Sequence, residues 1–160
     1  MGTRSRIGVM HGNKVKSVYC HWNGSVEHTG ARLQAHYDSA KANYLVALGD
    51  MSVLGKNIEI PPDVEHSFDA PAGDITVFYG RDRGEKNAEF QVALTFEQFL
   101  EQCDDCAAEY YYIMRDGEWY CGSPDKGSKL VALTEALTAI EGTVKAHKDG
   151  STQFNCVSII

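Results

Sequence analysis

The chain opens on alternation. Ser5, Ile7 and Val9 fall on one side of an extended segment, with Arg4, Arg6 and Gly8 on the other. His11-Gly12-Asn13-Lys14 supplies turn chemistry, and Val15 to Trp22 resumes with β-branched and aromatic residues. The pattern predicts a β-hairpin over 4–10 and 15–22. Asn23-Gly24-Ser25 breaks the second strand, and 26–37 reads as a short helix weakened by Gly30. After Asp38 the period changes. Ala42, Leu45, Val46 and Leu48 form an apolar stripe at helical spacing, with Asp38 placed to cap its start and Gly49 to end it. That predicts a helix over 39–48.

Residues 50–73 hold three of the four prolines and little periodicity, so they read mostly as loop. Asp74 to Tyr79 alternates again and predicts a strand, followed by the charged, glycine-flanked turn Gly80-Arg81-Asp82-Arg83-Gly84-Glu85. Thr95-Phe96-Glu97-Gln98 matches a capping box, which opens a helix over 96–103. Segments 109–115 and 118–122 flank Asp116-Gly117, a dipeptide that favours a type I′ hairpin turn. Leu130, Leu133, Leu137, Ile140 and Val144 give one apolar face to a helix over 129–148. Residues 153–160 are apolar enough to pack or to add an edge strand. No repeat, low-complexity tract or linker divides the chain. The expectation is one α+β domain over 1–160, an antiparallel sheet built from hairpins with helices packed on one face.

Composition narrows the setting. At 160 residues and 43% hydrophobic the chain is long enough to bury a sizeable core. A formal charge of −7 argues against a general double-stranded DNA surface, which needs a net basic face. No run approaches the roughly 18 apolar residues of a membrane helix. The N-terminal arginines have no apolar segment behind them, so no secretory signal is expected. Gly2 lacks the myristoylation context, because Arg6 stands where that motif takes Ser or Thr. Five scattered cysteines suggest reduced thiols in a cytosolic protein, not a disulfide framework. The acidity fits a soluble monomer or small homo-oligomer, and equally a protein that approaches a basic partner.

Candidate chemistry centres on arginines. Arg4 and Arg6 share a strand face about 7 Å apart, where two guanidiniums can clamp a phosphate or carboxylate. The bland alternative is a solvated face or salt bridges to the many carboxylates. Arg81 and Arg83 flank Asp82 between glycines that would let backbone N–H groups curl toward an anion, with Glu85 closing the stretch. An ordinary surface turn uses the same composition. His21 beside Trp22 at a strand end, and Tyr79 before the charged turn, offer stacking surfaces for a nucleobase. Trp22 in such a place is more often core, and His21 more often a satisfied structural histidine. Cys103-Asp104-Asp105-Cys106 has zinc-knuckle spacing without a second half, so neither a metal nor a cofactor is expected. No nucleophile elbow, zinc-protease helix or dinucleotide loop is present. Asp82, Glu85, His21, His28, His36 and His66 are available for acid–base work, and no spacing singles out a pair.

Four stretches taken together carry a resemblance: Met1 to Ile7, His21-Trp22-Asn23-Gly24, Gly49 to Gly55 and Phe78 to Glu85. With the Glu109 to Tyr120 hairpin, they resemble a family of small proteins encoded by tailed bacteriophages and prophage-carrying bacteria. The resemblance brings no activity with it. It implies a setting, a phage accessory protein in the cytoplasm of an infected bacterium, where such proteins block a host defence or redirect a host enzyme. The leading expectation is therefore a non-enzymatic counter-defence protein that sequesters a nucleotide-type anion. Arg4, Arg6, Arg81 and Arg83 would hold phosphates, and Trp22 or Tyr79 would stack the base. The alternatives are an acidic protein–protein inhibitor of a host enzyme and a small phosphoesterase.

Overall fold

The computed structural model describes residues 2–126 and 129–148. The opening alternation folds as the predicted hairpin, β1 (Ser5–His11) with β2 (Lys14–Cys20), paired from Ser5↔Cys20 to His11↔Lys14. A π-helical turn at Val26–Gly30 runs into α1 (Ala31–His36), so this segment is helical as the sequence predicts. α2 (Ser39–Ala47) starts at Asp38, whose carboxylate accepts the Lys41 N–H at 2.8 Å.

Short elements follow: β3 (Met51–Val53), β4 (Val77–Phe78), α3 (Tyr79–Arg83) and β5 (Gln91–Ala93). α4 (Phe96–Asp105) is capped by Thr95, whose hydroxyl accepts the Gln98 N–H at 3.1 Å. β6 (Tyr110–Arg115) and β7 (Glu118–Gly122) close through Asp116 and Gly117, both at positive φ (51° and 81°), as a type I′ turn requires. β8 (Val131–Ala132) leads into α5 (Leu133–Lys148).

The strands form one mixed, mostly antiparallel sheet in the order β4-β3-β2-β1-β6-β7-β8, with β5 also on β2. Two pairs run parallel, β1 with β6 and β2 with β3. The fold class is the expected α+β, and the differences are local. The strand read over 74–79 shrinks to Val77–Phe78, because Tyr79 already turns into α3. β3 and β5 went unseen because three residues are too few to show a period. Two residues of the last predicted helix pair with β7 instead, and the helix begins at Leu133. Residues 153–160 and the Val144 side chain lie outside the described residues.

Alternation along the strands divides the core. Ile7, Val9, Val18 and Cys20 meet Leu33, Leu45 and Leu133 from α1, α2 and α5, with Tyr112 and Trp119 between. Val15, Tyr111 and Ile113 face the other way, onto Phe99 and Cys103 of α4. Three helices thus share one face as expected, and α4 is the exception. Its cause is that β1, β2 and β6 bury side chains on both faces, so the second face needs its own cover. Among the described residues no helix is long and apolar enough to cross a membrane.

Candidate functional site

The glycine-flanked stretch is a helical turn that ends on a left-handed glycine. Gly84, at φ 70°, donates its N–H to the Gly80 carbonyl at 2.9 Å, and Glu85 donates to Tyr79 at 3.0 Å. The Gly84 and Glu85 amides are thus taken by the helix's own carbonyls, so these two do not curl around a ligand as expected.

Arg81 is committed to the fold. Its guanidinium donates to the carbonyls of Ile58 (2.5 Å) and Thr76 (2.8 Å) and to both oxygens of Asp82 (2.9 and 3.2 Å). Asp82 also accepts the Phe78 N–H at 2.8 Å and lies 3.2 Å from His66 Nε2. Burial pushes the Asp82 carboxyl up, but Arg81, the Phe78 N–H and His66 outweigh it and leave it below its ordinary value. The His66 side chain is wholly buried, and its Nδ1 accepts the Ala72 N–H at 3.0 Å, so the proton sits on Nε2. With both nitrogens used, the His66–Asp82 pair has no free site for acid–base work. His28 and His36 are exposed on the helical segment over 26–36.

Arg6 is committed too. Only 3% exposed, it donates from Nε to Ser17 Oγ (3.0 Å) and from Nη2 to the Ser17 carbonyl (3.1 Å). Its Nη1 lies 3.8 Å from Cys106 Sγ, at the carbonyl end of α4, where partial negative charge suits a buried cation. Arg4 and Arg6 share a face as read, but they form no surface clamp, because α4 seals one of them in.

Arg4 is the arginine left available. It is half-buried and makes no salt bridge among the described residues. Its guanidinium sits beside Tyr19, whose hydroxyl lies 2.6 Å from His21 Nδ1. Burial raises the Tyr19 phenol above its ordinary value while Arg4 pulls it down. Burial and then Arg4 hold the His21 imidazole below its ordinary 6.5, so it is neutral near pH 7. The cation draws the phenol's lone pairs, which turns the Tyr19 hydrogen toward Nδ1 and leaves His21 with Nε2–H as a second donor.

Trp22 is 44% exposed and packs edge-to-face on His21, centroids 4.7 Å apart. It lies over Gly2, where a Cβ would come within 2.6 Å of the indole. Tyr79 is raised chiefly by burial, countered by Ser52 and Arg83, and its phenol acts electrostatically on Tyr19. Arg83 lies over two rings, Phe68 at 4.2 Å and Tyr79 at 5.1 Å, with its tip on Glu85 at 2.5 Å.

Arg4, His21, Trp22, Tyr79, Arg83 and Glu85 therefore gather at one end of the sheet, while Arg6, Arg81 and Asp82 serve the interior. Sequence reasoning missed Tyr19 and Phe68. Tyr19 stands two residues before His21 on the same strand face, a signal that was there to use. Phe68 had none, being a lone aromatic in a proline-rich loop.

Cys103 is fully buried, and burial pushes its thiol far up. Among the described residues no group of three or more His, Cys, Asp or Glu is arranged to hold a metal. Two concavities lie at the opposite end of the β1–β2 hairpin. One of about 620 Å³ is lined by His36, Lys41 and Glu118, the other of about 450 Å³ by His11, Asn43 and Arg115. The arginine–aromatic cluster is partly exposed, with Trp22 at 44% and the Arg83 side chain at 48%. Comparison of the chain with family models, curated proteins and solved structures finds no match.

Proposed function

We propose that the protein is a non-enzymatic binding protein that captures a nucleotide-type anion on the ledge formed by Arg4, His21, Trp22, Tyr79 and Arg83. One observation carries this reading: the Arg4 guanidinium, held beside the Tyr19 hydroxyl, has no carboxylate partner among the described residues and stands near the His21 imidazole and an exposed indole. A phosphate takes the guanidinium fork and the His21 Nε2–H, and the base stacks on the open face of Trp22. In a chain of net charge −7, clustered cations are what a local anion site needs. The setting that the phage resemblance implies belongs to the same proposal. There the ligand is a nucleotide signal of the host's defence, removed from the infected cytoplasm by sequestration.

Calorimetric titration with linear and cyclic nucleotides tests the reading, followed by heat denaturation and mass spectrometry of what is released. The expected result is saturable binding and intact nucleotide. A released hydrolysis product makes the protein a phosphoesterase. No binding to any nucleotide, with co-purification of a host protein, makes it an acidic inhibitor.

Glu85 competes with the ligand for Arg83. Both side chains of that pair are about half-exposed (48% and 43%), so the contact is screened and weak. Glu85→Gln is expected to tighten nucleotide binding about two- to fivefold, matching the roughly 0.2–1 kcal/mol of an exposed pair. Weaker binding would place Glu85 among the ligand contacts and refute the competition.

The imidazole supplies a pH test. In the folded protein His21 resists protonation, whereas the unfolded chain takes up a proton near 6.5. Its contribution to stability is thus full above 6.5 and falls as pH drops below that value, until the folded imidazole also protonates. Arg4→Ala removes one of the two causes, so His21 is expected to titrate at higher pH in that variant by NMR. An unchanged midpoint would separate Arg4 from the imidazole.

A further inference from the structure

We propose that His66 and Phe68 are positioning residues for Arg83, the turn over 66–72 acting as a clamp that holds its guanidinium in one orientation. The inference rests on the ligand reading above only in naming what Arg83 is held for. The segment over 61–74 is mostly exposed and carries three prolines, yet it contains one completely buried side chain. That side chain is His66. Through Nδ1 it accepts the Ala72 N–H and closes the turn on itself, and through Nε2 it donates to Asp82 and ties the turn to α3. Ser67 Oγ accepts the Ala70 N–H at 3.1 Å and tightens the same turn.

Phe68 sits between these fastenings. Its ring meets Tyr79 at 5.4 Å, tilted by 36°, and the Arg83 guanidinium lies 4.2 Å from its centroid. Arg83 therefore has a ring on Phe68 and a ring on Tyr79 to lie against. An arginine free in solvent samples many rotamers, and ordering it on binding costs affinity; ring contacts made beforehand remove much of that cost. Neutral histidine suits the latch because it accepts on one nitrogen and donates on the other, which lysine cannot do.

The test measures ¹⁵N relaxation of the Arg83 Nε–H in the wild type and in Phe68→Ala, His66→Leu and His66→Gln, with ADP titrations in parallel. The expected result is a rigid Nε–H in the wild type, a mobile one in Phe68→Ala and His66→Leu, and partial recovery in His66→Gln, which keeps a donor to Asp82. ADP binding is expected to weaken about two- to fivefold in Phe68→Ala, the size of an exposed cation–π contact. No further loss is expected when Phe68→Ala is added to Arg83→Ala. If His66→Leu fails to fold, Phe68→Ala decides, since it removes a half-exposed ring. An Arg83 equally rigid in Phe68→Ala overturns the clamp, whatever ADP does. Failure of ADP and of every other linear or cyclic nucleotide to bind the wild type overturns the ligand reading instead, and the relaxation comparison still decides the clamp.

Discussion

Arg4→Ala is expected to weaken nucleotide binding about ten- to a hundredfold while leaving the fold intact. Hydrogen bonds to a charged group contribute about 1.5–3 kcal/mol, and each 1.4 kcal/mol or so is a factor of ten in affinity. Arg4 has no salt bridge among the described residues, so its removal leaves no buried carboxylate unpaired. Arg4→Lys is expected to lose most of the same affinity, because the charge stays and the bidentate fork goes. Arg81→Ala provides the contrast. It takes the guanidinium from the Ile58 and Thr76 carbonyls and from Asp82 Oδ1, so it should lower stability with little direct effect on binding. Calorimetry paired with thermal melts separates the two outcomes. An Arg4→Ala protein that binds as the wild type does would remove the central residue from the proposed site.

Phe99→Ala is expected to cost about 3–5 kcal/mol, the range for truncating a buried aromatic. Phe99 is fully buried, and its ring meets Phe96 at 5.6 Å and Tyr111 at 5.5 Å. It anchors α4 over the second face of the sheet, and α4 in turn seals Arg6. Deleting the ring leaves a cavity that the flanking strands cannot collapse, since both belong to the central sheet. Against a typical total of about 5–15 kcal/mol, such a loss is a large share of the stability. Denaturant unfolding should show a lower midpoint at an unchanged slope. A cost under about 1 kcal/mol would mean that α4 packs loosely and that Arg6 is hydrated, against the burial described here.

Some of the candidate site was readable before the fold was known. His21 and Trp22 at a strand end, Tyr79 and Arg83 near the charged turn, and Arg4 on the opening strand all reach the same ledge. The charged turn folds as a helical turn, not as a loop. Gly80 and Gly84 looked like hinges for amides around an anion, whereas Gly84 is the left-handed residue that ends a helical turn. Its composition fits both. The proline-rich segment was read mostly as loop, with His66 only one of several available histidines, yet through His66 and Phe68 it reaches α3, because one buried side chain and one half-buried ring leave no periodic mark in so short a segment.

From the sequence alone came the two hairpins, the caps at Asp38 and Thr95 and the helices they begin. All of these rest on contacts between residues a few positions apart, where composition and period act directly. Only the tertiary structure decided the parallel pairings of β1 with β6 and β2 with β3, which join strands whose meeting no local pattern records. It also decided which arginine is available to a ligand. Arg6 is enclosed by α4, Arg81 is held by the carbonyls of Ile58 and Thr76, Arg83 lies against Phe68 and Glu85, and Arg4, beside Tyr19, has no carboxylate partner among the described residues. A guanidinium looks the same at all four positions in the chain; its freedom depends on what the fold brings to it from elsewhere.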